Sequence, residues 1–369
     1  MRVRLRGRDS RSTPTEPSPP ETATTDLDEA PTAEAGPGDG EPPGTADATV
    51  EADREAAEPP ATDNPVPAGA EPGDTVAAAT ESLSPNPSAG RAPVLAADLD
   101  TEADRAPDGA YVPRPTPRIM AVANQKGGVG KTTTAVNLGA GLAELGYRTL
   151  VVDLDPQGNA TTGLGIDAHT FELSMYDVII RDVPLEDCVE PTSLKNLFVA
   201  PATIDLAGAE IELVPSFSRE LKLRRALESV IDDFDYVLID CPPSLGLITV
   251  NGLAAASEVL VPIQCEYYAL EGLGQLLRNV HLVQSNLNDG LEVSTIVLTM
   301  YDARTKLAEQ VADEVRVHFG GKVCRNIIPR TVRISEAPSF GQPITVFDPT
   351  SRGAIAYREL AKEVSGGEA

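Results

Sequence analysis

Apolar residues along this chain of 369 residues gather in short unbroken runs, separated by stretches with helical spacing. "IMAVAN" (119–124), "RTLVVDLD" (148–155), "NLFVAPA" (196–202), "YVLIDCPPS" (236–244), "EVLVPIQ" (258–264) and "VSTIVLTMYD" (293–302) have strand length. They do not alternate with polar residues, the mark of strands covered on both faces. Between the first two, Ala135, Leu138, Leu142 and Leu145 recur at helical spacing, and Gly146 is a stop signal. "SRELKLRRALESVID" (218–232) and "TKLAEQVADEVRVHFG" (305–320) are the clearest amphipathic helices. Strand and helix in alternation predict an α/β fold, a mainly parallel β-sheet flanked by helices. In such a fold ligands sit beyond the carboxyl ends of the strands.

The pattern starts only after about residue 110. Residues 1–110 hold 17 of the 32 prolines, no aromatic residue and no lysine. They carry eight arginines against 23 acidic residues, a net −15 of the chain's −26. So little apolar surface does not offset the entropy of ordering a backbone, roughly 1–2 kcal/mol per residue. The expectation is a disordered acidic Pro/Ala-rich tail over 1–112 and one folded domain over 113–365. The domain keeps a net charge near −11, so any nucleic-acid binding must come from a local basic patch. No apolar run approaches the ~20 residues of a membrane span. The opening "MRVRLRGRDS" lacks the apolar stretch of a secretory signal. Cys188, Cys241, Cys265 and Cys324 lie far apart with no C-x-x-C pair, which suits reduced thiols and a cytoplasmic setting.

The chemistry concentrates in "NQKGGVGKTTTAVNLG", residues 124–139. A phosphate loop of the usual form reads G-x-x-x-x-G-K-[S/T]. Gly130, Lys131 and Thr132 fit its end, Gln125 stands at the first-glycine position, and a second lysine, Lys126, follows it. Gly127, Gly128 and Gly130 let backbone N–H groups turn inward around phosphate oxygens, and the helix after them offers its positive end. Gly127, Gly128, Val129, Gly130, Lys131, Thr132 and Thr133 are therefore the candidate nucleotide-binding residues. Lys131 would reach the β and γ phosphates and the Thr132 hydroxyl would ligate Mg²⁺.

Two strand ends bring acids to the same place. Asp153 and Asp155 point to one side of an extended chain, and Asp240 closes another apolar run. Such an aspartate either supports Mg²⁺ through water or merely caps a helix. Three of them beside a phosphate loop favour the metal. Lys126 sits at the loop's entrance, poorly placed for the loop's own phosphates. It is either a solvated lysine or a charge that reaches a nucleotide held by another subunit, as an arginine finger does.

"KGGVGKTT" resembles the deviant phosphate loop of the MinD/ParA superfamily. That resemblance implies an ATP-sandwich homodimer in which Lys126 crosses the interface. "DLDPQGNATTGLG", "PATIDLAGAEIELV", "DYVLIDCPPSLGLITVNGL", "PIQCEYYALEGLGQLL", "VLTMYDARTKLAEQV" and "IIPRTVRISEAPSFGQPI" are similar to ParA/Soj-type chromosome-partitioning ATPases, over about residues 118–363. The family likeness implies ATP and Mg²⁺ at Lys131 and Thr132, Asp155 orienting the attacking water, and Asp153 and Asp240 supporting the metal. It implies Pro329 against the adenine and non-specific DNA binding through Arg304 and Arg333. It also implies nucleoid association, release by a ParB-like protein that stimulates hydrolysis, and slow intrinsic turnover. Thr331 stands where relatives often carry Asn, with little effect expected. Lys306, Lys322, Arg325 and Arg330 add positive charge around the two arginines.

Other users of this loop fit less well. A membrane-bound relative would end in a basic amphipathic helix, whereas this chain ends "YRELAKEVSGGEA". An iron-protein relative needs a second cysteine to accompany Cys241, and a metal-delivery ATPase needs C-x-x-C. A nucleotide-switched scaffold for polar or cell-division proteins, without DNA-dependent cycling, stays open as an alternative.

Overall fold

The computed structural model describes residues 116–266 and 269–366. The expected acidic tail, 1–112, and the first residues of the expected domain, 113–115, lie outside them. Seven strands form one sheet: β1 (Arg118–Val122), β2 (Thr149–Asp153), β3 (Glu190–Pro191), β4 (Leu197–Ala200), β5 (Tyr236–Asp240), β6 (Glu258–Gln264) and β7 (Glu292–Thr299). Their order is β3-β4-β2-β5-β1-β6-β7, parallel throughout except for the β3–β4 pair. All six apolar runs are strands, and β2, β4 and β5 are buried at every position.

Alternate side chains feed two cores. Ala121 and Ala123 face a layer built from α3 (Met175–Arg181), α5 (Leu206–Leu213), α6 (Lys222–Leu227), α7 (Leu247–Ala255), α8 (Ala269–Asn286) and α9 (Lys306–Phe319). Met120 and Val122 face α1 (Lys131–Glu144) and α12 (Arg352–Ser365). On α12, Tyr357, Leu360, Ala361 and Val364 form the buried stripe against that core. The chain's last helix is thus a packing element, and no helix among the described residues is long and apolar enough to cross a membrane.

The amphipathic stretch 218–232 departs from expectation. It is a 3₁₀ turn at Arg219–Leu221, the short α6, and another 3₁₀ turn at Ile231–Asp233. Asn251 of α7 is the cause. Its Nδ2 donates to the Arg219 carbonyl (2.8 Å), and its Oδ1 accepts from Leu223 N–H (3.2 Å). Those two groups would bond each other in a continuous helix; a side-chain amide stands between them instead.

The two margins of the sheet are finished differently. β3 is two residues long, Glu190 and Pro191, and runs antiparallel. Beside β7, segment 323–330 satisfies the carbonyls of Ile296 and Leu298 through Cys324 and Ile328, and bridges Tyr301 to Pro329.

Candidate active site

β1, β2 and β5 are neighbours, so their carboxyl ends meet in one place: Asp153 lies in register with Asp240, and Asp240 with Val122. From Val122 the chain enters the glycine loop. Gly128 (φ 72°) and Gly130 (φ 89°) adopt the left-handed conformation that side chains disfavour. The loop is pinned from outside. Asn124 donates to the Pro262 carbonyl (2.8 Å) and accepts from Lys126 N–H (3.0 Å). The Thr299 hydroxyl, at the end of β7, donates to the Val129 carbonyl (2.8 Å). α1 then begins at Lys131 with no side-chain cap and no acid in its first turn, leaving its first N–H groups for an anion. Thr132 and Thr133 are half-buried in that turn, and Thr133's carbonyl accepts from Asn137 (2.7 Å).

Lys131 is buried, and its Nζ donates to one acceptor, the Lys126 carbonyl at 3.3 Å. Burial lowers its pKa, opposed first by the charge of Asp240. Asp240 is fully buried and neither oxygen has a well-formed hydrogen bond. Burial and then Asp153 push its pKa well up, while the nearby Thr132 hydroxyl and Lys131 pull it down. A buried carboxylate without donors is anomalous in a folded protein. Its two oxygens, aimed among Lys131 and Thr132, fit a hydrated divalent cation.

Asp153 is differently placed. Its Oδ2 accepts from both the N–H and the hydroxyl of Thr161 (2.8 Å each), and its Oδ1 accepts from Asp155 N–H (3.1 Å). Thr161 lies on α2 (Asn159–Gly163), and its hydroxyl also accepts from Ala202 N–H (3.0 Å), just beyond β4. Burial raises Asp153 to about 6. Its carboxylate holds the 155–161 loop, a positioning part beside the support of a metal expected of it. Asp155 is half-exposed, turns back to accept from Gln157 N–H (3.0 Å), and lies close enough to Lys131 to act on its charge.

Lys126 does not reach into its own loop. Its ammonium pairs with Glu266 at 3.2 Å, at 32% and 48% side-chain exposure. Glu266 was invisible as a site residue in the sequence because 140 positions separate the pair. Pro329 is half-buried beside Tyr301, at the same end of the sheet. Thr331 caps α10 (Val332–Glu336) by accepting from Ile334 N–H (3.3 Å), a task that Asn performs equally.

Arg304 and Arg333 are both solvent-accessible and both ion-paired. Arg304 grips Asp302 with two nitrogens (2.8 and 2.7 Å), and Arg333 holds Asp348 and Glu336 (2.9 Å each). The four cysteines are buried and free.

A family model described as an AAA domain matches residues 117–293, from β1 into the start of β7. The sporulation initiation inhibitor protein Soj of Bacillus subtilis is 58% identical over 248 residues, 67% of this chain and 98% of that protein. The chain belongs to the ParA/Soj family of chromosome-partitioning ATPases. The chromosome partitioning protein ParA of Myxococcus xanthus is 52% identical over 247 residues, 67% of this chain and 87% of that one. A Mycobacterium smegmatis structure titled cobyrinic acid a,c-diamide synthase, with bound ADP and magnesium, is 44% identical. It superposes with a TM-score of 0.59, over 67% of this chain and 93% of that one. The mainly parallel α/β fold expected from the apolar runs is thus the fold of the family. The AAA-domain match itself ends before Arg304, Pro329 and Arg333.

Proposed function

We propose that this ParA/Soj-family ATPase binds ATP with Mg²⁺, pairs with a second copy across the nucleotide, and holds DNA non-specifically until a ParB-like protein stimulates hydrolysis. The observation that carries the reading is the division of labour between the two lysines. Lys131 lies inside its own loop, whereas Lys126 stands outside it on an exposed carboxylate. The loop therefore has one lysine more than its own phosphates need. Exposed apolar side chains add support for pairing: Ile204 and Leu245 flank the carboxyl end of the sheet, and Ile211, Val214 and Phe217 continue along α5 and its exit.

In this reading the N–H groups of residues 127–133 and the Lys131 ammonium hold the phosphates, and Thr132 and Asp240 hold the cation and its waters. When bound, Mg²⁺ would offset the negative charge of the phosphates. Asp155 exchanges its bond to Gln157 N–H for the attacking water and orients it. Pro329 borders the adenine. Asp155→Ala should still dimerise and stay on DNA, while partner-stimulated turnover falls about 10²-fold or more, the usual worth of a positioned acid–base group. A phosphate-release assay showing normal stimulated turnover rules out that role.

DNA contact follows from the arginines. Exposed ion pairs are worth ~0–1 kcal/mol, so Arg304 and Arg333 exchange their carboxylates for phosphates at little cost. Contacts to phosphates carry no sequence information. Arg333→Glu should dimerise normally with ATP, weaken duplex binding about tenfold or more at low salt, and reduce the salt slope by about one per lost contact. An unchanged slope removes Arg333 from the interface.

The whole reading is tested by binding to random-sequence duplex DNA with ATP, with ADP and without nucleotide, at low and moderate salt. Tight, salt-sensitive binding only with ATP is expected. Equal weak binding in all three states favours the nucleotide-switched scaffold.

A further inference from the structure

Next to Arg333 the surface carries an aromatic column. The Arg333 guanidinium lies 4.7 Å from the centre of the Phe347 ring, and the Phe340 ring stacks on Phe347 at 4.8 Å with 29° between planes. Phe340 is 65% exposed, far more than packing requires of a phenylalanine. It is held there by its neighbour: Gly341 (φ 61°) ends the turn, and its backbone lies against that of Gly165. A Cβ on either glycine would come within 2.8–2.9 Å of the other's backbone, so the turn is seated with no slack.

The surroundings narrow what such a ring can meet. Ser339 and Gln342, close to it in sequence, are polar and reach solvent. Arg330 and Arg352 are exposed nearby in chain and fold: Arg330 precedes the Thr331 cap, and Arg352 adjoins Gly353, which packs on Ile334 of α10. Neither makes an ion pair among the described residues. Asp348 and Glu336 are both engaged by Arg333. An exposed flat ring stacked on a second ring, which itself lies against a guanidinium, is the arrangement on which nucleic-acid bases pile.

We propose that Phe340, backed by Phe347 and Arg333, is a base-stacking site that binds unpaired bases in single-stranded or locally opened DNA. The proposal rests on the reading of Arg333 as a DNA contact and adds a preference that phosphate contacts do not give.

The test uses the full chain with ATP and two probes of one mixed sequence, a single strand carrying 2-aminopurine and the matching duplex. Phe340→Ala should weaken single-strand binding about tenfold, the scale of one lost base–aromatic stack, and leave duplex affinity within about twofold. The salt slope should not change, since no charge is removed. 2-Aminopurine fluorescence should be quenched by the wild type and by Phe340→Trp, which restores a ring, but not by Phe340→Ala. Equal binding and equal quenching by wild type and Phe340→Ala, with duplex binding intact, overturns the stacking site and leaves the DNA reading standing. Equal weakening of both probes overturns it too, by making Phe340 a general contact. Failure of the wild type to bind either probe removes the DNA reading and the stacking site together.

Discussion

Lys131→Ala should abolish ATP binding at micromolar concentrations while leaving the chain folded. In this structure the ammonium is buried with a single carbonyl acceptor at 3.3 Å, so two of its three donors are open to a ligand. Charge-assisted hydrogen bonds contribute ~1.5–3 kcal/mol each, and losing two of them lowers affinity by about 10²–10⁴-fold. Removal of an underpaired buried cation takes away desolvation cost as well as attraction to Asp240, so the melting temperature should move by only a few degrees. Titration calorimetry with ATP and a thermal melt separate the two effects. A folded variant that binds ATP within tenfold of the wild type shows that Lys131 does not hold phosphate.

Lys126→Ala should behave in the opposite way. Its own loop is complete without it, so ATP affinity stays within about tenfold. What disappears is the dimer and, with it, partner-stimulated turnover, by about 10³-fold or more if the lysine acts as a finger in trans. Sedimentation with ATP reads the first effect and phosphate release the second. Glu266→Gln is the counterpart. It frees Lys126 from an exposed ion pair worth ~0–1 kcal/mol, so dimerisation tightens by at most about fivefold. A Lys126→Ala protein that sediments as a dimer with ATP and turns over normally leaves Lys126 an ordinary surface charge.

The fold was legible where each element announces itself locally. β2 and β5 are apolar up to their closing aspartates because both faces are covered, and the loop Gly127–Gly130 is contiguous. Asp240 was legible because its position follows from the strand before it. Interactions between distant segments were not. The pairing of Lys126 with Glu266 and the bond from Thr299 to Val129 span 140 and 170 positions. Asp153 resembles Asp240 in sequence, yet Thr161, eight residues on, occupies it. The split at 218–232 is written in Asn251, which no local pattern could connect to it. α8, the longest helix among the described residues, carries Gly272 and Gly274 in its first turns, and these weaken its helical signal. β3 is too short for any periodicity.

The finish of the two sheet margins bears on how many copies can gather in one place. Pro191 has no N–H to offer a further strand, and Glu190 beside it adds a charge. On the other side, the carbonyls of Ile296 and Leu298 are already answered from within the chain. Exposed ladders are the usual route by which crowded proteins zip into fibrils. With a proline on one margin and two carbonyls of β7 taken on the other, molecules packed shoulder to shoulder along one stretch of a polymer meet more through side-chain faces than through backbone, so a crowd of them can disperse one molecule at a time.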